Sequence, residues 1–132
     1  MNLPGIPFFV TAYGAVLFSA GSLLGLGAFI NPSSAIGYVE GAVQISGGWA
    51  GRTFGMALVQ GLSLYLKTPE AYALGFLNAF CRELGDVFGA VAAGETGAIP
   101  MLGAFLLLDT ICLGFSIKSL MDSSKTSSIK KD

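Results

Sequence analysis

Apolar residues fill four long stretches of this chain, and polar positions fall between them or along one face of them. No charged residue occurs from Ile6 to Ile30, and about 20 apolar residues suffice for a helix to cross a bilayer. The start, Met1-Asn2-Leu3-Pro4-Gly5, lacks the basic segment of a secretory signal, and the apolar run exceeds a signal's apolar core. The pattern therefore predicts a retained membrane helix over 6–30, with Gly21 and Gly25 spaced for a close helix neighbour. Asn31-Pro32-Ser33-Ser34 ends it, since Pro32 biases Asn31 away from helical geometry. Ser34 to Ser46, with Tyr38 and Glu40, is too short and too broken by glycine to span. It reads as a short interfacial helix or as a plain loop. A second helix is expected over 49–66, with Trp49 at headgroup level and Gly47, Gly51 and Gly55 as a second close-approach stripe. Lys67-Thr68-Pro69 makes a turn, a third helix follows over 70–93, and a fourth runs over 99–121. The remainder, 122–132, reads as a disordered polar tail. The expected fold is all-α, a four-transmembrane-helix up-and-down bundle occupying 1–121.

The third stretch organises the rest. Stepping about 100° per residue from Asn78 places Asn78, Cys81, Arg82, Gly85, Asp86, Gly89 and Ala93 on one arc. Phe76, Leu77, Phe80, Leu84, Val87, Phe88 and Val91 fall on the other, with Glu83 at the edge. A charge at mid-bilayer needs a partner, so the small, charged arc is expected to face the bundle interior and the large apolar arc the lipid.

Composition narrows the class. Only 11% of residues are charged and 53% are hydrophobic, against about 25% charged in an average soluble protein. Too few polar residues remain to cover a soluble domain of this size. The chain contains no histidine, which removes the commonest general base and metal ligand. Cys81 and Cys112 form no metal-binding pattern and are expected to be two buried apolar thiols. No metal, no cofactor and no nucleic-acid partner is expected; the formal net charge is -1 and no basic patch is present. Lys67, Lys118, Lys125, Lys130 and Lys131 fall on the side that holds both termini. The bias of basic residues toward the cytoplasm then places both termini there.

Depth within the expected bundle brings the charges together. At about 1.5 Å per residue, Arg82 and Glu83, Asp109, and Gln60 lie roughly 15–18 Å from the non-cytoplasmic side, on three different helices. Asp86 lies roughly 12 Å deep and Arg52 roughly 5 Å, close enough for an arginine reaching inward to meet Asp86. Arg82 and Asp86, four apart, also suit a pair along one helix face. Two arginines thus serve three carboxylates, and Asp109 or Glu83 is left as the place for a shared proton.

Gly51-Arg52-Thr53-Phe54-Gly55 and Gly61, followed by Arg82, Asp86 and Gly94, resemble the Gly/Arg-rich second helix and the late Arg or Asp of the third helix in small membrane proteins of the DoxX-like group and its neighbouring families. The resemblance covers roughly residues 32–97. It implies a four-helix bundle and almost no particular activity.

Two functional expectations follow. The first is a membrane protein that binds a lipophilic small molecule in its charged interior, with Arg52, Gln60, Asn78 and Arg82 as ligand-binding candidates, or that serves as an accessory subunit or homo-oligomer in a larger membrane complex. The alternative is a membrane-embedded isomerase, cyclase or hydratase using Glu83, Asp86 and Asp109 as general acids and bases. A proton-coupled transporter is weaker, since the chain shows no internal repeat or broken-helix pair.

Overall fold

The computed structural model of the chain describes residues 5–34 and 43–129, and these form four α-helices and one 3-10 turn, with no strand among them. The helices are α1 (Phe8–Ile30), α2 (Val43–Leu66), α3 (Pro69–Ala93) and α4 (Ile99–Ile129), with the 3-10 turn at Pro32–Ser34. The segment around Tyr38 and Glu40, expected as an interfacial helix or a loop, lies outside the described residues except at its ends.

Local chemistry sets most of the boundaries. Asn31 closes α1: its N–H donates to the Gly27 carbonyl, and its side-chain oxygen accepts from the Ser33 hydroxyl at 2.7 Å. Thr68 caps α3 by accepting from the Ala71 N–H at 3.2 Å, with Pro69 in the first turn, where a missing N–H costs nothing. Lys67 takes a positive φ of 50° to make the reversal between α2 and α3. Gly94, at φ 72°, ends α3 in the left-handed conformation that favours glycine.

Two helices are longer than the sequence pattern suggests. α2 starts at Val43, six residues before the expected 49, because Gly47 and Gly48 are tolerated within the helix. α4 runs to Ile129 and so takes in most of the segment expected as a disordered tail. No Gly or Pro follows Gly114 to stop it. Ser123 and Ser124 donate their hydroxyls back to the carbonyls of Ser119 and Met121.

The helices pack as two antiparallel pairs, α1 with α2 and α3 with α4, joined by a narrower α2–α3 contact. Glycine makes the first pair tight. A Cβ added at Gly25 would lie 2.8 Å from the Phe54 backbone nitrogen, and one at Gly21 would lie 3.0 Å from the Ala57 Cβ. The expected stripe on α2 behaves differently: a Cβ at Gly47 or Gly55 would meet nothing within 4 Å, and one at Gly51 only the edge of Phe29. That stripe faces outward.

The distribution of polarity is inverted relative to a water-soluble bundle. Thr53, Gln60, Ser63, Glu83, Asp109 and Ser116 are buried among Val10, Met56, Tyr72, Phe76 and Ala79. Phe8, Leu23, Leu62, Tyr65, Leu74, Phe88 and Leu107 point out from all four helices. α1 and α4 are each long and apolar enough to cross a membrane by length and composition. α3 carries Glu70, Arg82, Glu83 and Asp86, and its apolar length is correspondingly interrupted.

Candidate functional site

Polar residues buried in the bundle come from all four helices. α1 contributes Tyr13, α2 contributes Thr53 and Gln60, α3 contributes Arg82 and Glu83, and α4 contributes Asp109. Glycine opens the space for the largest of them. A Cβ at Gly75 would sit 3.0 Å from the Gln60 Oε1, and one at Gly14 would sit 3.6 Å from it. The Gln60 side chain therefore lies between α1 and α3 because both helices lack side chains where it passes. One turn further along α2, the Ser63 Oγ lies 2.9 Å from its own helix's Val59 carbonyl and 2.7 Å from the Ala71 carbonyl on α3. The Tyr13 ring is stacked on Phe76, centroids 6.1 Å apart and 9° from parallel, which holds its hydroxyl toward Asp109.

Charge pairing follows two lines. Arg52 on α2 reaches Asp86 on α3 at 2.8 Å, with the two side chains 46% and 23% exposed. Arg82 pairs with its chain neighbour Glu83, and that pair is largely buried. Asp109 is 0% exposed, and neither of its oxygens has a hydrogen-bond partner. The Tyr13 hydroxyl faces it without closing a hydrogen bond of ordinary geometry, and Arg82 acts on it through the field alone. Arg82 also feels Asp86 and Arg52, so the two ion pairs and Asp109 form one electrostatic group. The Thr53 hydroxyl, Gln60 Nε2, Arg82 Nε and Glu83 Oε2 are likewise buried without partners. Buried polar atoms are nearly always paired in folded proteins, so this concentration in one region is unusual.

The site residues expected from sequence divide accordingly. Arg82 lies against Glu83 and acts on Asp109, Arg52 meets Asp86, and Gln60 is buried beside Gly14 and Gly75. Asn78 does not join them; it is exposed on the outer side of α3. The wheel assignment was rotated by about one residue, or roughly 100°. The buried arc of α3 runs through Tyr72, Gly75, Phe76, Ala79, Glu83 and Ala90, and Asn78, Cys81, Gly85 and Gly89 face outward. The physical reason is that Phe76 and Tyr72 fill the space against α1, while Glu83 is drawn in with them. Phe88 points outward as expected, at 67% exposure. Of the two thiols expected to be buried, Cys112 is and Cys81 is exposed. Tyr13 and Thr53 were not singled out from sequence. Tyr13 is the one polar-ended aromatic in the charge-free first stretch, and that was the available signal.

A shallow apolar depression of about 240 Å³ lies on the outer face of α4, lined by Thr110, Ile111, Gly114, Phe115 and Lys118. It opens away from Asp109 and reaches no carboxylate. Among the described residues, no group of three or more carboxylate and thiol side chains is placed to hold a metal ion. Compared with protein-family models, with curated proteins and with solved structures, the chain matches none.

Proposed function

We propose that the chain is a small four-span integral membrane protein whose bundle interior binds a lipophilic molecule through that molecule's polar group. The carrying observation is Asp109: a fully buried carboxylate, both oxygens unpartnered, facing the Tyr13 hydroxyl and within the field of Arg82, whose Nε is likewise buried without a partner. A donor-bearing or cationic group on the ligand satisfies the carboxylate, and an acceptor on it satisfies the Arg82 Nε. The apolar remainder of the molecule has no need of a water-filled route, since it enters from lipid.

The membrane reading is supported by the outward array of Phe8, Leu23, Leu62, Leu74, Phe88 and Leu107 and by the apolar length of α1 and α4. α2 and α3 complete the four spans because their charged residues in mid-helix, Arg52, Arg82, Glu83 and Asp86, turn inward or pair with one another. Placement of both termini in the cytoplasm rests on the lysines at one end of the bundle. Kinship with the DoxX-like group belongs to the same proposal and rests on Gly51, Arg52, Gly55, Gly61, Arg82, Asp86 and Gly94.

The test is gentle purification into lipid nanodiscs, followed by solvent extraction and mass spectrometry of what remains bound. Wild type is expected to carry a lipophilic compound in near-stoichiometric amount, and Asp109→Asn to lose it while remaining folded. A wild-type protein that carries only bulk lipid overturns the reading.

A further inference from the structure

The outer side of the α2–α3 seam combines small residues with opposite charges. Gly48, Arg52 and Gly55 lie there from α2, and Gly85, Asp86 and Gly89 from α3. A Cβ added at any of these four glycines would meet nothing within 4 Å, whereas Gly14, Gly21, Gly25, Gly61 and Gly75 are all occupied by internal packing. Gly103 and Gly114 on α4 are bare as well; at the α2–α3 seam the bare glycines flank an ion pair. In the middle of that bare face sits an ion pair whose arginine is 46% exposed and uses a single guanidinium nitrogen on Asp86.

We propose that this face is the contact with a second copy of the chain, related by a two-fold axis along the seam. Arg52 of each subunit then meets the partner's Asp86 as well as its own. This rests on the membrane-embedded reading above and is independent of any bound ligand.

Three observations select a second copy over another occupant. The face carries one positive and one negative charge side by side, so it is complementary to itself after a two-fold rotation. A partner of single charge sign satisfies only one member of the pair. Helices in lipid associate where small residues let backbones approach, and the glycines flank the charges on both helices at spacings of four and seven residues. Finally, a half-exposed ion pair facing hydrocarbon is costly; a four-charge cluster between two copies removes it from lipid and gives each guanidinium further acceptors.

The experiment separates contacts between chains from contacts within one. Arg52→Glu leaves two negative charges on the face, and Asp86→Arg leaves two positive charges. Each variant alone repels its own copy; the two mixed attract at both contacts, although the pair inside each chain is broken. Differently tagged variants are co-expressed, and heteromeric pull-down is compared with same-variant pull-down. The mixed pair is expected to exceed either single variant by roughly tenfold. A second measurement guards against misfolding. Gly55→Leu with Gly85→Leu fills only open space in the single chain, so its helical content is expected to hold. Its mass by native mass spectrometry is expected to fall from two chains to one. A wild-type protein of one chain mass overturns the proposal, as does a two-chain mass that persists in the Gly55→Leu, Gly85→Leu variant. Stoichiometric co-purification of a different protein, or of a phospholipid on a single chain, overturns it too.

Discussion

Arg52 and Asp86 meet at 2.8 Å across the α2–α3 seam, and this sends Arg82, one turn before Asp86 on the same helix, to Glu83 instead. The outer pair is half in contact with its surroundings, and the inner pair is shut inside the bundle. Two arginine–carboxylate pairs thus face different energetic circumstances. Within a single chain, where water or headgroups reach it, an exposed pair is worth about 1 kcal/mol or less. Removing one partner of a buried pair costs about 3–5 kcal/mol, because the other charge is left without compensation.

The two arginines are accordingly expected to differ on mutation. Arg82→Ala lowers the melting temperature in mild detergent far more than Arg52→Ala. The double change Arg82→Leu with Glu83→Leu restores most of the loss, since it removes both members of the pair. Circular dichroism melts of the four proteins check this. Equal melting temperatures for Arg82→Ala and wild type would sink the premise.

Glycine position predicts a second contrast. At Gly25 an added methyl would press on the Phe54 backbone at 2.8 Å, and backbone cannot rotate away. Gly25→Ala is expected to destabilise by about 1–3 kcal/mol through overpacking. Gly103 on α4 has nothing within 4 Å, so Gly103→Ala is expected to hold or gain up to about 1 kcal/mol from helix propensity. Melts of both variants, read with the same probe, give the comparison.

What the sequence disclosed depended on whether the signal was local. The four helical stretches were legible because long apolar runs and strong breakers, Pro32, the Lys67–Pro69 turn and Gly94, mark them. The ends of α2 and α4 were not, because glycines and serines weaken a helical pattern without ending the helix. The burial of Gln60, Glu83 and Asp109 and the proximity of Arg82 to Asp109 followed from depth alone. The rotation of α3 did not, because two rules competed. Polarity drew Asn78 inward on the wheel, but the volume of Tyr72 and Phe76 against α1 decides the packed face. Asn78, Gly85 and Gly89 were consequently expected inside and lie outside. In the same way, spacing could not distinguish the glycines of α1 that meet α2 from those of α2 that meet nothing.

The topology is open to a direct test. Four spans, as proposed, would place the two ends of the chain on one side of the membrane. Single cysteines introduced near Asn2 and at Lys125, in a Cys81→Ser, Cys112→Ser background, are expected to react with an impermeant maleimide only after the cytoplasmic face is opened. Reaction of the two positions from opposite sides would establish an odd number of spans.

The sharpest prediction concerns Asp109 and Tyr13. Asp109 holds two buried oxygens with no partner, and Tyr13 holds a buried hydroxyl beside them. An unsatisfied buried polar group costs about 1–3 kcal/mol, and more when charged. Asp109→Asn keeps the shape and removes the charge, so the ligand-free protein is expected to melt higher than wild type. Tyr13→Phe keeps the ring stacked on Phe76 and removes only the hydroxyl, so its melting temperature is expected to stay level or rise slightly. A group retained at such a cost to the fold has its use elsewhere. If Asp109 receives the polar group of a lipophilic ligand, the Asp109→Asn protein is both more stable and empty. Tyr13→Phe then retains the ligand with weakened affinity, because the carboxylate that receives it is still present. Were Asp109→Asn instead to melt lower and keep its full complement of bound molecule, the carboxylate would be part of the helix packing, and the binding site would have to be sought outside the bundle interior.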